Sequence, residues 1–158
     1  MNRHASKITQ CFLCLTFLLF SIQTFSQSSC EDLIKNNQCM DAISACMILA
    51  EKDDPSAQLA LSRLYSGTLY GDFRRNYKNA FQWMEAAAAQ GYTDAEVAMA
   101  EIYIRGEVVP LNAKKAKPWY EKAAAKGDLD AINGLARLYR YGTGVRKNQE
   151  KAFEYYQK

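Results

Sequence analysis

Histidine is almost absent from this 158-residue sequence. The single one, His4, lies in an N-terminal segment with the features of a secretory signal, and cleavage of that segment would leave a mature chain without histidine. That loss would exclude Ser-His-Asp triads, Cys-His nucleophile pairs and zinc sites that use imidazole. Proline is also scarce, with three residues in all, which favours a chain made of helices.

The first 26 residues have the three parts of a secretory signal. Arg3 and Lys7 form a basic start, and residues 11–20 are an almost unbroken apolar run. Thr24 and Ser26 place small side chains at positions −3 and −1 of a cleavage site. We therefore expect residues 1–26 to be removed during export.

Two alternatives to a cleaved signal remain open. A membrane anchor needs about 20 apolar residues, whereas this run has about 10–12. A lipoprotein signal cut before Cys30 would require Leu at the position that Gln27 occupies. After cleavage at Ser26 we expect no membrane span in the mature chain.

Three cysteines remain once the two in the signal are removed, an odd number for an oxidising compartment. Cys39 and Cys46 lie on one predicted helix with about 10 Å of rise between them, too far for a disulfide. Any intramolecular bond must therefore include Cys30. If residues 30–36 and 39–51 form an antiparallel hairpin, Cys30 faces Cys46, and we predict that disulfide. The alternatives are three reduced, buried thiols or an intermolecular bond through Cys39.

Charge is nearly balanced overall but uneven along the chain. Without the signal, 18 basic and 17 acidic side chains remain, too little net charge for a nucleic-acid-binding surface. Residues 27–60 carry net charge −4, residues 61–110 carry −1, and residues 111–158 carry +6. The basic end is suited to an acidic partner or to end-to-end self-association, and unselected solvated charge would give the same pattern.

A sequence repeat is the most informative feature of the chain. Asn76, Asn112 and Asn148 are spaced 36 residues apart, and other positions fall into register with them, the first tyrosine after a short insertion. This period is typical of solenoids of helix pairs, in which each unit buries its apolar face against its neighbours. The recurring positions are Tyr65, Tyr103 and Tyr139; Ala80, Ala116 and Ala152; Trp83, Trp119 and Tyr155; and Gly91 and Gly127.

The repeat also predicts how the chain is divided. In each full unit an asparagine such as Asn76 is placed to cap the second helix, and a glycine such as Gly91 is placed to end it. The first unit after the signal is degenerate, with Asp53-Asp54 where a later unit has Gly91-Tyr92. The predicted units are an N-terminal capping hairpin at residues 27–55 and repeats at residues 56–92, 93–127 and 128–158, the last of them incomplete.

The recurring residues resemble the Sel-one-like repeat (SLR), a relative of the tetratricopeptide repeat. The second unit departs from the SLR pattern at Val108, where a loop glycine belongs, and the first has a loop two residues longer. A small residue that follows the core leucine predicts close helix contact, and it is Ser62, Ala100 and Ala136 in the three units. The third unit matches at Leu135, Tyr139, Gly142, Gly144, Val145, Asn148, Lys151 and Ala152, with Tyr155 in the tryptophan position.

The resemblance implies an α/α superhelix of antiparallel helix pairs. It also implies an adaptor or scaffold that holds protein partners, in bacteria often in the envelope or exported. Some cysteine-rich secreted relatives carry a disulfide in each repeat, and some of those bind or hydrolyse β-lactams. The three repeats of this chain contain no cysteine, which weakens the case for such an activity.

The first helices of such pairs usually line the concave face, and here their non-core positions differ between units. A surface that varies on a constant frame is typical of a recognition groove. Trp83 and Trp119 are predicted as core residues, and Glu51, Asp53 and Asp54 as a solvated helix end, since they lack the spacing of a calcium loop. The candidate partner-binding residues are Gln58, Arg63, Glu96, Glu101, Arg137 and Arg140.

The leading hypothesis is a bacterial SLR adaptor, periplasmic or secreted, that binds another protein. We expect no catalysis, cofactor, metal or nucleic-acid partner. One alternative is an SLR hydrolase that acts on β-lactam or cell-wall substrates. The other is a structural segment of a longer repeat array.

Overall fold

The computed structural model describes residues 30, 39–67, 76–106 and 108–158. These residues include seven α-helices and no β-strand, so the protein is an all-α helical-repeat solenoid. The expected signal, residues 1–26, lies outside the described residues. The helices are α1 Cys39–Ala50, α2 Pro55–Ser66, α3 Tyr77–Ala89, α4 Thr93–Arg105, α5 Ala113–Ala125, α6 Leu129–Tyr141 and α7 Gln149–Tyr156.

The helices pack in chain order, each against the helix before it and the helix after it. The pairs α2–α3, α4–α5 and α6–α7 form the three repeats, and α1 packs against α2. A fully buried apolar side chain lies at the centre of each first helix, and the small residue after it is buried as expected. These neighbours are Leu61 with Ser62, Met99 with Ala100, and Leu135 with Ala136, all at most 1% exposed.

Each helix pair is closed by one asparagine, through an arrangement that we name the asparagine clasp. The side-chain oxygen of the N-cap asparagine accepts a hydrogen bond from the backbone N–H three residues on, which satisfies one of the unpaired donors of the helix start. The backbone N–H of the same asparagine donates to a tyrosine carbonyl of the first helix. The clasps are Asn76 with Tyr65 at 2.8 Å, Asn112 with Tyr103 at 2.8 Å, and Asn148 with Tyr139 at 2.9 Å.

The turns between units share one left-handed residue. Gly91 and Gly127 have φ of +81° and +87°, and Asp53 takes the same place after α1 with φ of +62°. In each turn the next backbone N–H reaches back to a carbonyl five residues earlier, as in a Schellman motif. The expectation that Asp53 replaces a repeat glycine is therefore confirmed by the turn that it forms.

The disulfide Cys30–Cys46 joins Cys30 to α1, and it is the pair that the sequence predicts. The two Cα atoms lie 4.9 Å apart, and both residues are almost fully buried in the cluster around Leu61. The side chain of Cys39 lies outside the described part of the chain. The bond therefore lies in the core that α1 shares with repeat 1.

Packing between repeats 2 and 3 depends on Gly134. A Cβ atom at this position would come within 2.6–2.9 Å of the ring of Tyr120, which is buried between the two repeats. One repeat earlier, the equivalent positions are Ala98 and Met84, which pack in one cluster. A larger side chain on one helix is thus matched by a smaller one on its neighbour.

We predict that the Cys30–Cys46 bond contributes substantially to stability. In the chain-entropy model, a loop of this size stabilises by about 3 kcal/mol, so a Cys30→Ser/Cys46→Ser variant should lose about that much in urea unfolding. Peptide mapping under non-reducing conditions should recover the Cys30–Cys46 peptide pair. Recovery of a bond that includes Cys39 would contradict the assignment.

A second prediction concerns Gly134. Alanine usually stabilises a helix interior relative to glycine by up to about 1 kcal/mol. Here Gly134→Ala should instead destabilise by about 1–3 kcal/mol, because the methyl group overpacks against Tyr120. Addition of Tyr120→Met, which copies the preceding repeat, should recover stability, and Asn133→Ala on the exposed side of α6 serves as the control. A Gly134→Ala variant as stable as the unmodified protein would contradict the packing described.

Candidate functional site

The six predicted partner-binding residues divide into two groups. Arg63, Arg137 and Arg140 are exposed, and Glu101 is part-exposed and pairs with Arg105 at 3.0 Å. Gln58 and Glu96 are each only 2% exposed. The prediction that these last two residues face a partner is therefore wrong.

Gln58 is buried because both ends of its amide are used within the protein. Its Nε2 donates to the carbonyl of Ala50 at 3.1 Å, and its Oε1 accepts from Nε2 of Gln90 at 2.9 Å. Gln90 is the C-cap of α3, and Ala50 is the last residue of α1. The Gln58 side chain, on α2, therefore joins the ends of the two helices that flank α2.

Glu96 has the equivalent role one repeat later. Its carboxylate accepts from Nζ of Lys126 at 2.7 Å, and the same ammonium donates to the carbonyl of Gly91 at 2.6 Å. Lys126 follows Gln90 by 36 residues. Gln90, the partner of Gln58, and Lys126, the partner of Glu96, therefore occupy the same repeat position. At the third equivalent position Ile132 is 8% exposed, which makes this position structural in all three repeats.

A different surface combines the repeated aromatic residues. Trp83 and Trp119 each pack one side against the core, as predicted, but both are half-buried and also line surface grooves. We name these the Tyr65 groove, of about 340 Å³, and the Tyr103 groove, of about 310 Å³. Met47, Tyr65, Asn79, Gln82, Trp83 and Ala86 line the first, and Tyr103, Lys115, Pro118, Trp119 and Lys122 line the second.

The aromatic rings of repeats 2 and 3 are covered by lysine side chains. A cation over an aromatic ring is attracted by the quadrupole of the ring. The same lysine–ring contacts occur in both repeats, so these lysines are repeat positions. Repeat 1 has Asn79 and Ala86 in their places, so its groove is neutral. The distances from Nζ to ring centroid are 5.5 Å for Lys115 over Tyr103, 4.3 Å for Lys122 over Trp119, 5.3 Å for Lys151 over Tyr139 and 4.9 Å for Lys158 over Tyr155.

The third repeat has a larger opening, which we name the Tyr139 pocket. Its volume is about 570 Å³, and the Tyr139 ring that lines it stacks on Tyr155 with centroids 5.8 Å apart. Four cationic side chains share it with Val145 and Asn148, and no acidic side chain lines it. These cations are Lys117, Arg146, Lys147 and Lys151.

Two ionisable groups at this pocket are fixed in their ordinary charge states at neutral pH. A hydrogen bond to Glu121, with Nζ 2.7 Å from the carboxylate, raises the pKa of Lys117, so that side chain stays protonated. Burial raises the pKa of Tyr155, so its phenol stays neutral. Both shifts move these two groups further from titration near neutral pH.

The described residues contain no cluster of three or more His, Cys, Asp or Glu side chains that could hold a metal ion. No helix among them is long and apolar enough to cross a membrane. The side chains that line the grooves offer positive charge, hydrogen-bonding groups and aromatic surface.

The aromatic grooves were not among the predicted sites, although the sequence contains their signal. Lys115 and Lys151 are aligned repeat positions, each three residues after an N-cap asparagine, and each lies near the aligned tyrosine. Because these positions recur in the repeat, the sequence indicates only a structural role for them. The structure shows that the frame residues also line the surface openings.

Comparison with known proteins identifies the repeat. The family model described as Sel1 repeat matches residues 55–92, 93–128 and 129–158. Among solved structures, a protective antigen of uropathogenic Escherichia coli that displays an SLR fold is 31% identical over 73% of this chain, with a TM-score of 0.69. A Sel1 repeat protein from Oxalobacter formigenes is 24% identical over 82% of this chain, with a TM-score of 0.73, and supports the fold alone.

This chain covers 24% of the E. coli antigen and 52% of the O. formigenes protein. Comparison with curated proteins gives no match. The similarity therefore concerns the repeat unit and its packing, and it assigns no substrate or partner.

We predict that the Glu96–Lys126 bridge is structural. Lys126→Met should destabilise by about 1–3 kcal/mol in urea unfolding, because it leaves the buried carboxylate without its donor. The double variant Glu96→Gln/Lys126→Gln recreates the Gln58–Gln90 pair and should recover most of that loss. Lys78→Met, at an exposed helix start, is the control. Simple additivity of Glu96→Gln and Lys126→Gln in a double-mutant cycle would contradict a shared bridge.

Proposed function

The chain belongs to the Sel1 repeat family, and we propose that it is an exported adaptor that binds a partner protein and has no catalysis of its own. Sel1 repeat proteins are generally scaffolds for protein interactions. The observation that carries the proposal is a surface opening beside the aligned tyrosine of each repeat, namely the Tyr65 groove, the Tyr103 groove and the Tyr139 pocket. The asparagine clasp beside each opening is the same in all three repeats, whereas the side chains that line the openings differ.

Variation on a constant frame supports a recognition role. The position three residues after the N-cap lines the opening in each repeat and is Asn79, Lys115 or Lys151. A second lining position is Gln82 in the Tyr65 groove and Pro118 in the Tyr103 groove. Substitutions at these positions leave the buried centre of each repeat unchanged, so they alter binding chemistry at little cost in stability. An extended partner segment would then meet different side chains at each repeat.

The exposed residues of the first helices form a second candidate surface. Arg63, Glu101 and Arg137 occupy one repeat position, and Arg140 lies one turn after Arg137. Arg137 is two residues from Tyr139, about 200° around the helix, so this surface lies on the other side of the helix from the groove. We propose the grooves as the primary contact because the aromatic residues there offer large, rigid contact area.

Export is supported by two independent features. The first 26 residues have the composition of a cleavable signal, and the Cys30–Cys46 disulfide is of a kind that persists in oxidising compartments. We propose residues 1–26 as the signal, residues 27–55 as the capping hairpin, and a periplasmic or secreted location. A hydrolase would need a constellation of reacting groups, and no observation on the described residues favours one.

Position-specific crosslinking tests the adaptor function. A photo-crosslinking amino acid at Gln82, which lines the Tyr65 groove, or at Glu154, the exposed residue at the same repeat position of α7, should give one discrete adduct with a partner protein in the exporting cell. The same amino acid at Asn133, which is exposed on α6, serves as the matched control. Equal adducts at all three positions would contradict binding at the grooves, and turnover of β-lactam or cell-wall substrates by the purified protein would contradict an adaptor without catalysis.

A further inference from the structure

We propose that the Tyr139 pocket binds the carboxylate side chains of an acidic peptide segment in the partner protein. This inference rests on the adaptor function and names the chemistry of one of its contacts. The pocket provides four cations within about 570 Å³ of surface opening. A protein segment with neighbouring Asp or Glu side chains supplies the complementary charge.

Most of the charge in the pocket is available to a ligand. Lys117 already pairs with Glu121, whereas Arg146, Lys147 and Lys151 form no ion pair among the residues that the structure describes. Lys151 lies over the Tyr139 ring, a contact that leaves the ammonium free to donate hydrogen bonds. Carboxylate oxygens would therefore replace solvent at three cationic groups, and the planar guanidinium of Arg146 suits a bidentate contact.

Three of the four cations of the Tyr139 pocket have no cationic equivalent one repeat earlier. One repeat earlier, Phe81 stands in the place of Lys117 and packs edge-on against Tyr103 with centroids 6.4 Å apart. The residues equivalent to Arg146 and Lys147 are Pro110 and Leu111. The frame thus folds with apolar side chains at these three positions, and folding does not require a cation at any of them.

The covered aromatic rings favour a peptide over a single-stranded nucleic acid. Proteins that bind single strands stack bases on open aromatic faces. At Tyr139 one contact is with the Lys151 ammonium, 5.3 Å from the ring centroid, and another is the stack on Tyr155. The Tyr65 and Tyr103 grooves lie beside the aligned tyrosines of the preceding repeats and are suited to the rest of an extended peptide chain.

Fluorescence anisotropy with the purified protein tests the inference. The probe is a short fluorescein-labelled peptide rich in glutamate, and its counterpart has glutamine at every glutamate position. The glutamate peptide should bind and the glutamine peptide should not. Arg146→Gln/Lys147→Gln should weaken binding about tenfold, since two charge contacts of ordinary strength are removed.

Matched charge removal separates a local site from a general attraction. Lys52→Gln/Lys78→Gln removes the same net charge at exposed positions away from the pocket and should change the affinity less than about twofold. Equal losses in the two double variants would overturn the proposed site. Tighter binding of a single-stranded oligonucleotide or of anionic lipid vesicles than of the peptide, lost in the Arg146→Gln/Lys147→Gln variant, would also overturn it.

The crosslinked adduct at Gln82 or Glu154 distinguishes this inference from the adaptor function. If the adduct forms in the unmodified protein and weakens in the Arg146→Gln/Lys147→Gln variant, both stand. If it persists unchanged in that variant, the adaptor function stands and the acidic-peptide site is wrong. Absence of any adduct, with peptide binding intact, would refute the adaptor function and leave the acidic-peptide chemistry of the pocket supported.

Discussion

The backbone hydrogen bond from each N-cap asparagine to a tyrosine carbonyl is the constraint on which the rest of the structure depends. In repeat 3 it joins Asn148 to Tyr139 at 2.9 Å, while the Asn148 side chain caps α7 at the N–H of Lys151. The ammonium group of Lys151 lies over the Tyr139 ring, 5.3 Å from the centroid. Asn112, Tyr103 and Lys115 form the same set in repeat 2. One asparagine therefore fixes the loop ends, the helix start and the position of the cation at the groove.

This coupling explains how a repeat can change its recognition chemistry without changing its shape. The clasp needs only a backbone carbonyl from the tyrosine and a backbone N–H from the position three residues after the asparagine. In repeat 1 that position is Asn79, and the clasp at Asn76 keeps its geometry, although the loop is longer. The exposed residues around each opening are thus free to differ between repeats. The Tyr65 groove has no cationic lining residue, the Tyr103 groove has two, and the Tyr139 pocket has four. A partner with an acidic end would bind with that end at repeat 3, because the positive charge is greatest there.

The sequence predicted the frame well because its signals are local and periodic. N-cap asparagines, left-handed turn residues and the hairpin spacing of Cys30 and Cys46 each depend on short stretches of chain. Gln58 and Glu96 were misassigned because a polar residue on a helix is normally exposed, and their burial depends on hydrogen bonds to partners about 30 residues away. The Tyr139 pocket depends on α5, α6, α7 and the loop after α6 together, so no single segment indicates it.

The central claim is that the residues which close the repeat also form its binding surface, with the acidic contact in repeat 3. The most direct measurement is a titration of the isotope-labelled protein with the glutamate-rich peptide, followed by backbone amide chemical shifts. The account predicts that the largest changes lie at residues 145–151 and at Tyr139, with small changes around Arg137 and Arg63. Changes concentrated at Arg63, Glu101 and Arg137, with residues 145–151 unaffected, would contradict it.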